Sequence, residues 1–450
     1  MKLGHFIRRT SRKSVIDGLQ HISKYYIPKK QLLSSANPLD KNAKSAISNH
    51  ANAAKAFTIR NHDFRTYLAA SSVAHMLDGW MYLSNSINSL LSGDEGASIH
   101  LAYYAELRSA MSILATEGLG VFDKKHFGAF DGDHCEIFKY HRRDYNKGAT
   151  HQFVWTAMDK WASSAYKPTS SILKLFKVRG KNFYELTEYF HPSVAASNLL
   201  SERTIKKWLK DWCFDIKSYK ADREGRNEVS YRPQRIKNFD KNVDFKTIIS
   251  SINSFWNVLS PSGGDKYTLL DSYLLRKLFQ TLHQELQSRG LTTQTYSESV
   301  RNAFEQYGIS DQTLFRFLDA TPPYNNDHSI FQLANIKETT PLSIIARASL
   351  LLRISVGMVS QLCSEANLEI KDLNFVWENY GIDNGFWAVG ESPTSFNSLW
   401  NDISISIEEL NLDLADTSHS YDMHSIFHRN PEHVRYLSQI NRASLWGLDF

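Results

Sequence analysis

The most concentrated chemical signal of the sequence lies on one helical segment, residues 97–117. His100, Tyr104 and Arg108 recur there every four residues. Because residues four apart lie on the same side of an α-helix, they form a polar stripe along one face. A histidine suits proton transfer near neutral pH, and an arginine suits binding of phosphate. The alternative is an ordinary polar stripe that bonds to Glu106 or to a neighbouring helix.

The same segment has an apolar face that must position the stripe. Tyr103, Leu107, Ala110 and Leu114 share this face and are predicted to pack inward. Small residues such as Ala105 allow a second helix to approach closely, which is typical of a compact helical bundle.

Helical spacing of apolar residues recurs along most of the chain. It predicts helices over about 11–26, 64–91, 97–117, 150–163, 248–259, 269–287 and 341–363. We find no convincing strand alternation or hairpin signal, and the glycine- and aspartate-rich segment 121–133 is interpreted as a loop. The sequence therefore predicts a mainly α fold built of many helices.

Length and local composition suggest how the 450 residues are divided. The chain is long enough for two or three domains with real apolar cores. Changes in composition suggest a basic N-terminal arm, a helical bundle, a basic connector with helices and an acidic helical C-terminal domain. Their predicted bounds are 1–57, 58–165, 166–260 and 261–450.

The net charge of +5 hides a strong asymmetry between the two ends of the chain. Residues 1–60 carry a net charge of about +10, and residues 361–450 carry about −10. A basic segment of this kind indicates a surface for phosphate backbones or for an acidic partner. The candidate nucleic-acid-binding residues of the arm are Arg8, Arg9, Arg12 and Lys13. The alternative is that the arm docks on the acidic half of its own chain.

A second basic segment, residues 203–246, mixes cations with aromatic residues such as Trp208. Lys206, Lys207 and Lys210 share a helical face there and are further candidates for nucleic-acid binding. The second half of the segment is predicted to be an exposed, irregular connector. The alternative for the whole segment is a solvated helix whose charges pair with one another.

Several classes of function are excluded by missing motifs. There is no phosphate-binding GxxxxGK[ST] loop, no GxGxxG after a strand, no HExxH helix and no GxSxG elbow. Three distant cysteines make neither a disulfide framework nor a metal knuckle, and we assign no metal and no cofactor. A mean hydropathy of −0.39 and the lack of a long uninterrupted apolar stretch argue against a membrane protein. We therefore expect a cytoplasmic protein.

The run AYYAELRSAMSILATEGLG, residues 102–120, and the following His126 resemble the HEPN family of small helical domains. The element Arg143-Asp144-Tyr145 is similar to the one that precedes the last helix of that family, which would be 150–163 here. The resemblance covers about residues 64–165, less than a quarter of the chain. It implies a HEPN-like helical bundle in this part of the fold.

Many members of that family are ribonucleases or toxins, with an arginine followed by a histidine four to six residues later, whereas others only bind or dimerise. Here Arg143 and His151 are separated by seven residues, one too many. The resemblance implies Arg143, His151 and Arg108 as candidate catalytic residues for cleavage of RNA without a metal ion. The alternative for Arg143 and His151 is a solvated helix start with a capping role.

Two functional hypotheses follow from the sequence. In the first, the chain is an RNA-targeting component of a bacterial anti-phage defence or toxin-type system, and its HEPN-like domain cleaves or binds RNA. It would then act as a homodimer or within a hetero-oligomer with a partner protein. In the second, the chain is a non-enzymatic adaptor or scaffold subunit whose basic arm binds nucleic acid and whose acidic half binds a partner protein.

Overall fold

The structure of the protein, a computed structural model, is built almost entirely of helices. The described part of the chain contains nineteen α-helices, three 3₁₀ helices and five short strands. A mainly α fold is therefore confirmed. The residues that the structure describes are 2–22, 61–122, 125–131, 134–138, 150–163, 171–172, 174–188, 194–209, 216–231, 245–261, 267–319, 327–416 and 423–448.

The first half of the chain holds eight α-helices and all five strands of the described residues. The helices are α1 (Leu3–Arg9), α2 (Arg12–Leu19), α3 (Asn61–Leu91), α4 (Glu95–Thr116), α5 (Thr150–Ala162), α6 (Phe183–Thr187), α7 (Val194–Trp208) and α8 (Ile216–Tyr231). The strands are β1 (Leu119–Phe122), β2 (Lys125–Ala129), β3 (Cys135–Ile137), β4 (Lys177–Val178) and β5 (Lys181–Asn182).

The second half is helical throughout the described residues. Its α-helices are α9 (Phe245–Leu259), α10 (Thr268–Gln287), α11 (Thr293–Gln306), α12 (Gln312–Leu318), α13 (Ser329–Ala334), α14 (Pro341–Glu365), α15 (Asn374–Asp383), α16 (Trp400–Ala415), α17 (Met423–Arg429), α18 (Pro431–Ser438) and α19 (Ala443–Gly447). The 3₁₀ helices are Ile370–Leu373, Phe396–Leu399 and Ile440–Arg442.

Three long helices form the centre of the fold. Helices α3 and α4 pack against each other along their length, and α14 lies against both. The predicted inward face of α4, which includes Tyr103 and Leu114, is buried. Buried residues from Phe6 to Leu448 join into one continuous core that crosses the predicted domain limits. The four domain ranges themselves stay predictions.

The ends of α4 follow from local chemistry. The Asp94 carboxylate accepts a hydrogen bond of 2.8 Å from the Ala97 amide and satisfies a free donor of the first turn. At the other end Gly118 adopts a φ of +87°, which glycine tolerates better than any residue with a side chain. The helix therefore ends at the position that the sequence predicted.

Helix α14 is a core helix, although its length and composition alone would also allow a membrane span. Thr340 and Ser343 cap its first turn reciprocally. Both of its arginines are buried. Arg353 is buried and donates two hydrogen bonds of 2.7 Å to the Asp271 carboxylate.

Arg347, the other buried arginine of α14, joins three helices. It donates hydrogen bonds of 2.9 and 2.7 Å to the two carboxylate oxygens of Asp222 on α8. The buried Glu106 of α4 lies near one of the same donor nitrogens, with Oε1 3.6 Å from Arg347 Nε. Desolvation and the nearby Asp222 raise the pKa of Glu106 well above its ordinary value. A proton on Glu106 therefore lets the two carboxyls share a hydrogen bond, because two anions could not.

The prediction of a loop over residues 121–133, and of no hairpin, is wrong. Strands β1 and β2 pair antiparallel, with Val121 opposite His126 and Phe122 opposite Lys125. Strand β3 continues the sheet, with Ala129 opposite Cys135.

The glycines of residues 121–133 suggested a loop, but Gly128 lies in a strand and allows close packing. A Cβ atom at Gly128 would lie 2.8 Å from Thr10 Cγ2 and 2.9 Å from the Phe6 ring. The absence of a side chain on this strand therefore marks the place where α1 packs on the sheet.

The irregular connector predicted for the second half of 203–246 is also corrected. Residues 216–231 form the regular helix α8, which packs on α4. Although this helix is rich in charged residues, one of its carboxylates, that of Asp222, is buried and only 1% exposed. The charge of Asp222 is tolerated because Arg347 neutralises it. Residues 232–244 lie outside the described part of the chain.

Residues 2–22, the described part of the N-terminal arm, pack against the rest of the fold. Helix α2 packs on α3, and α1 packs on α5 and β2. Ser11 caps α2 by accepting a hydrogen bond from the Ser14 amide. The helix predicted over 11–26 ends earlier, at Leu19, and residues 23–26 lie outside the described part.

We expect Gly18→Ala to destabilise the protein, because its new Cβ atom would lie 2.3 Å from the Arg65 carbonyl oxygen. Overpacking of this kind costs about 1–3 kcal/mol. The matched control is Gly4→Ala on α1, whose Cβ atom would meet only Lys160 Cδ at 3.7 Å. Urea denaturation measures the free energy of unfolding of both variants. Equal stability of the two variants would show that α2 does not pack on α3 as described.

We expect Glu106→Gln to flatten the dependence of stability on pH. The pKa of Glu106 is higher in the folded protein than in the unfolded chain, so folding retains a proton that the unfolded chain releases. The free energy of unfolding of the native protein should therefore fall as the pH rises above about 4.5. Denaturation between pH 4.5 and 8.5 measures this, with the exposed Glu409→Gln as control. Parallel curves for native protein and Glu106→Gln would contradict the shared proton.

Candidate functional site

A cluster of histidine, tyrosine and arginine side chains lies where α4, α5 and α8 meet. His151, in the first turn of α5, is half-buried and lies against Tyr103 of α4. Its Nδ1 and the Tyr103 hydroxyl are 2.9 Å apart, and the two rings are nearly parallel. Trp155 Nε1, one turn further on α5, donates a hydrogen bond of 3.3 Å to the same hydroxyl oxygen. These contacts fix the imidazole of His151 and occupy one of its two nitrogens.

The exposed side of α4 contributes the next part of the cluster. Tyr104 lies edge-on to His151, with 5.8 Å between ring centroids, and stacks on Tyr82 of α3. His100, one turn earlier, lies 5.0 Å from the Tyr104 ring. Its Nδ1 is 2.6 Å from the Ser230 hydroxyl at the end of α8. Tyr104 therefore lies between two histidines.

Helix α8 contributes two arginines that the sequence did not single out. The guanidinium of Arg226 lies over both tyrosine rings, 5.3 Å from the centroid of Tyr103 and 5.6 Å from that of Tyr104. Its buried Nε has no hydrogen-bond partner. Within the described residues, neither Arg226 nor Arg223, three residues earlier, forms an ion pair. Within the described residues, no ion pair therefore neutralises the positive charges of Arg223 and Arg226 near the histidines.

The electrostatics of the cluster favour an anion. Burial and the charges of Arg226 and Arg223 lower the pKa of His151 to about 4. Burial and Arg226 also lower the pKa of His100. Both imidazoles are therefore neutral at pH 7 in the free protein. A bound anion would offset the arginine charges and raise both pKa values.

This arrangement can bind an anion and move a proton beside it. The arginines supply fixed positive charge that can stabilise a phosphate. The neutral His151 can accept a proton on Nε2 in the tautomer whose Nδ1–H donates to the Tyr103 oxygen, because Nε2 then carries the free lone pair. The hydroxyl of Tyr103 stays protonated, since burial raises its pKa to about 12.

Arg108 continues the polar stripe but points to other partners. Its Nη1 is 2.9 Å from Nδ1 of the half-buried His75 and 3.5 Å from the Asp78 carboxylate, both on α3. Burial and Arg108 lower the pKa of His75 to about 3. In the described part of the chain, no hydrogen bond or ion pair joins Arg108 to His151. The structure thus places two of the three candidate catalytic residues in different environments, and the third, Arg143, lies outside the described residues.

The candidate nucleic-acid-binding residues of the arm divide into two groups. Arg9 pairs with Glu136 at 3.0 Å, and Arg12 pairs with Glu365 of α14 at 2.9 Å. The contact of Arg12 agrees with the alternative in which the arm docks on its own acidic half. Arg8 and Lys13 are exposed. In the second basic segment, Lys206 is exposed and Lys207 half-buried in the last turn of α7, whereas Lys210 lies outside the described residues.

Arg223, Arg226, Tyr103 and Ser230 were missed by sequence reasoning. A signal for the arginines was present, because Arg223, Arg226 and Ser230 are three and four residues apart and share one helical face. The many charged residues of 216–231 favoured an irregular connector, and the shared face of this helix was therefore not predicted.

Comparison with known proteins adds no further assignment. No model of a protein family, no curated protein and no solved structure matches this chain. The resemblance to the HEPN family therefore stays a prediction.

We expect Arg226→Gln to raise the pKa of His151 above about 4, because a nearby positive charge disappears. The imidazole proton signals of His151, followed by NMR from pH 3 to 8, measure this shift. Arg108→Gln is the matched control, and should change the titration of His75 but not that of His151. An unchanged pKa of His151 in Arg226→Gln would show that the arginine does not lie beside it.

Proposed function

We propose that the protein binds RNA at this cluster and cleaves it without a metal ion, as a component of a bacterial defence or toxin-type system. One observation carries the proposal: His151, His100 and Arg226 converge around Tyr103 and Tyr104 from three helices. Histidine and unpaired arginine side by side are the groups that a phosphodiester cleavage requires.

The first step of the proposed function is binding of a phosphate. Arg226 and Arg223 form no ion pair within the described residues, so they can accept a phosphate without first losing a carboxylate. The nearest buried carboxyl on α4, Glu106, is protonated because its pKa is raised, and Asp222 is neutralised by Arg347. The cluster therefore keeps its positive charge.

The second step is transfer of the 2′-hydroxyl proton. In our proposal the 2′-oxygen bonds to the adjacent phosphorus, its proton passes to Nε2 of His151, and the bond to the 5′-oxygen breaks. The leaving oxygen takes a proton from water, which gives a 2′,3′-cyclic phosphate and a 5′-hydroxyl end. Arg226 stabilises the charge that accumulates on the phosphate oxygens. The proton held by His151 returns to solvent.

The biological setting rests on the sequence resemblance. Most of the run from Ala102 to Gly120 that resembles the HEPN family lies on α4, which carries Tyr103 and Tyr104 of the cluster. His151 lies in the first turn of the helix that would be the last one of that domain. The proposed role in defence, a homodimeric or hetero-oligomeric state and a partner protein follow from this resemblance alone.

We expect His151→Gln and Arg226→Gln each to reduce RNA cleavage by about 10²–10⁴-fold, the usual contribution of proton transfer or of charge stabilisation. Cleavage of a labelled single-stranded RNA in the presence of EDTA, with analysis of the product ends, measures this. His433→Gln is the matched control, because His433 also bonds to a serine, Ser406, but lies on α18. Replacing the 2′-hydroxyl at the cleaved position with hydrogen should abolish the reaction.

Cleavage that survives in both variants would contradict the assignment of this site. If cleavage is instead lost in Arg143→Ala and unchanged in Arg226→Gln, the arginine implied by the resemblance supplies the phosphate contact. Binding of RNA that depends on Arg8 and Lys13, with no cleavage by the native protein, would support the adaptor hypothesis.

A further inference from the structure

The side chains of the cluster lie along the seam between α4 and α8, here called the groove, and the two histidines occupy neighbouring positions beside it. His151 and His100 lie on opposite sides of Tyr104, at 5.8 and 5.0 Å between ring centroids. Each has its Nδ1 occupied, by the Tyr103 hydroxyl and by the Ser230 hydroxyl respectively. Each therefore has Nε2 as its available nitrogen.

Helices α4 and α8 run antiparallel, so successive residues of α4 contact residues of α8 in reverse order. His100 pairs with Ser230, Tyr104 lies under Arg226, and Glu106 lies beside Asp222. Exposure decreases in the same direction, because Ser230 is exposed and Glu106 is fully buried. The groove is thus open at the His100 end and closed by the Glu106–Asp222–Arg347 cluster at the other.

We infer that this groove holds two consecutive phosphates of one RNA strand, one between His151 and Arg226 and the next between His100 and Arg226. The inference rests on the proposed function and names a second phosphate subsite for it. Ser230 acts as a positioning residue, because it holds the His100 ring without itself contacting the strand.

The balance of charge supports two phosphates better than one. Arg223 and Arg226 provide two permanent positive charges, and one phosphodiester would neutralise only one of them. Arg226 lies over the rings of Tyr103 and Tyr104, against which His151 and His100 pack, so it is within reach of both subsites. The forked geometry of a guanidinium suits contact with two neighbouring phosphates.

The test is binding of 2′-O-methyl oligouridines, which cannot be cleaved, with either one or two internal phosphates and no terminal phosphate. We expect the native protein to bind the two-phosphate strand at least about tenfold more tightly, with a salt dependence near −1.4 in log–log slope against about −0.7 for the one-phosphate strand. His100→Gln should remove both differences. Ser230→Asp should do the same, because its carboxylate would stand beside the second phosphate. Fluorescence anisotropy at several salt concentrations measures the affinities.

The controls separate this inference from the proposed function. His433→Gln should bind both strands as the native protein does, and circular dichroism checks the fold of each variant. If His100→Gln and Ser230→Asp keep the preference for two phosphates while His151→Gln still abolishes cleavage, the second subsite is wrong and the proposed function stands. If the native protein binds neither strand and cleaves no RNA, both are wrong.

Discussion

The buried ion pair between Arg347 and Asp222 is the interaction on which the arrangement of the described helices depends. It joins α14, in the centre of the fold, to α8, and the protonated Glu106 of α4 completes the contact. A buried charge is tolerated only with a partner, so removal of either member costs far more than a surface pair would. This contact fixes α8 along α4. The guanidinium of Arg226, four residues beyond Asp222, then lies over the tyrosines of α4.

The contact among Arg347, Asp222 and Glu106 also determines how much negative charge lies beside the candidate site. The two carboxyls next to the groove carry no free negative charge, because one is protonated and the other is paired with arginine. Arg226 therefore lies over two phenol rings and near two imidazoles whose pKa values are lowered. The resulting positive groove exists in a protein whose net charge is only +5. Local pairing, and not overall composition, determines where an anion can bind.

Sequence periodicity predicted the long helices because their apolar spacing and caps are local properties. The bounds of α3, α4, α5, α9, α10 and α14 agree with prediction to within a few residues. The hairpin was missed because Gly128 serves contact with Phe6, which is distant in sequence. The polar stripe of α4 was predicted, but the partners of its residues were not. His100 contacts α8, Tyr104 lies between α8 and α3, and Arg108 contacts α3. Such choices depend on which helix lies opposite, and a single sequence does not reveal that.

The most direct test of this account is a crystal structure of the protein with a bound 2′-O-methyl RNA strand. We expect phosphate oxygens within hydrogen-bonding distance of the Arg226 guanidinium and of His151 Nε2, in the groove between α4 and α8. A strand bound to the exposed cations of the arm, Arg8 and Lys13, with no phosphate at Arg226, would contradict the account.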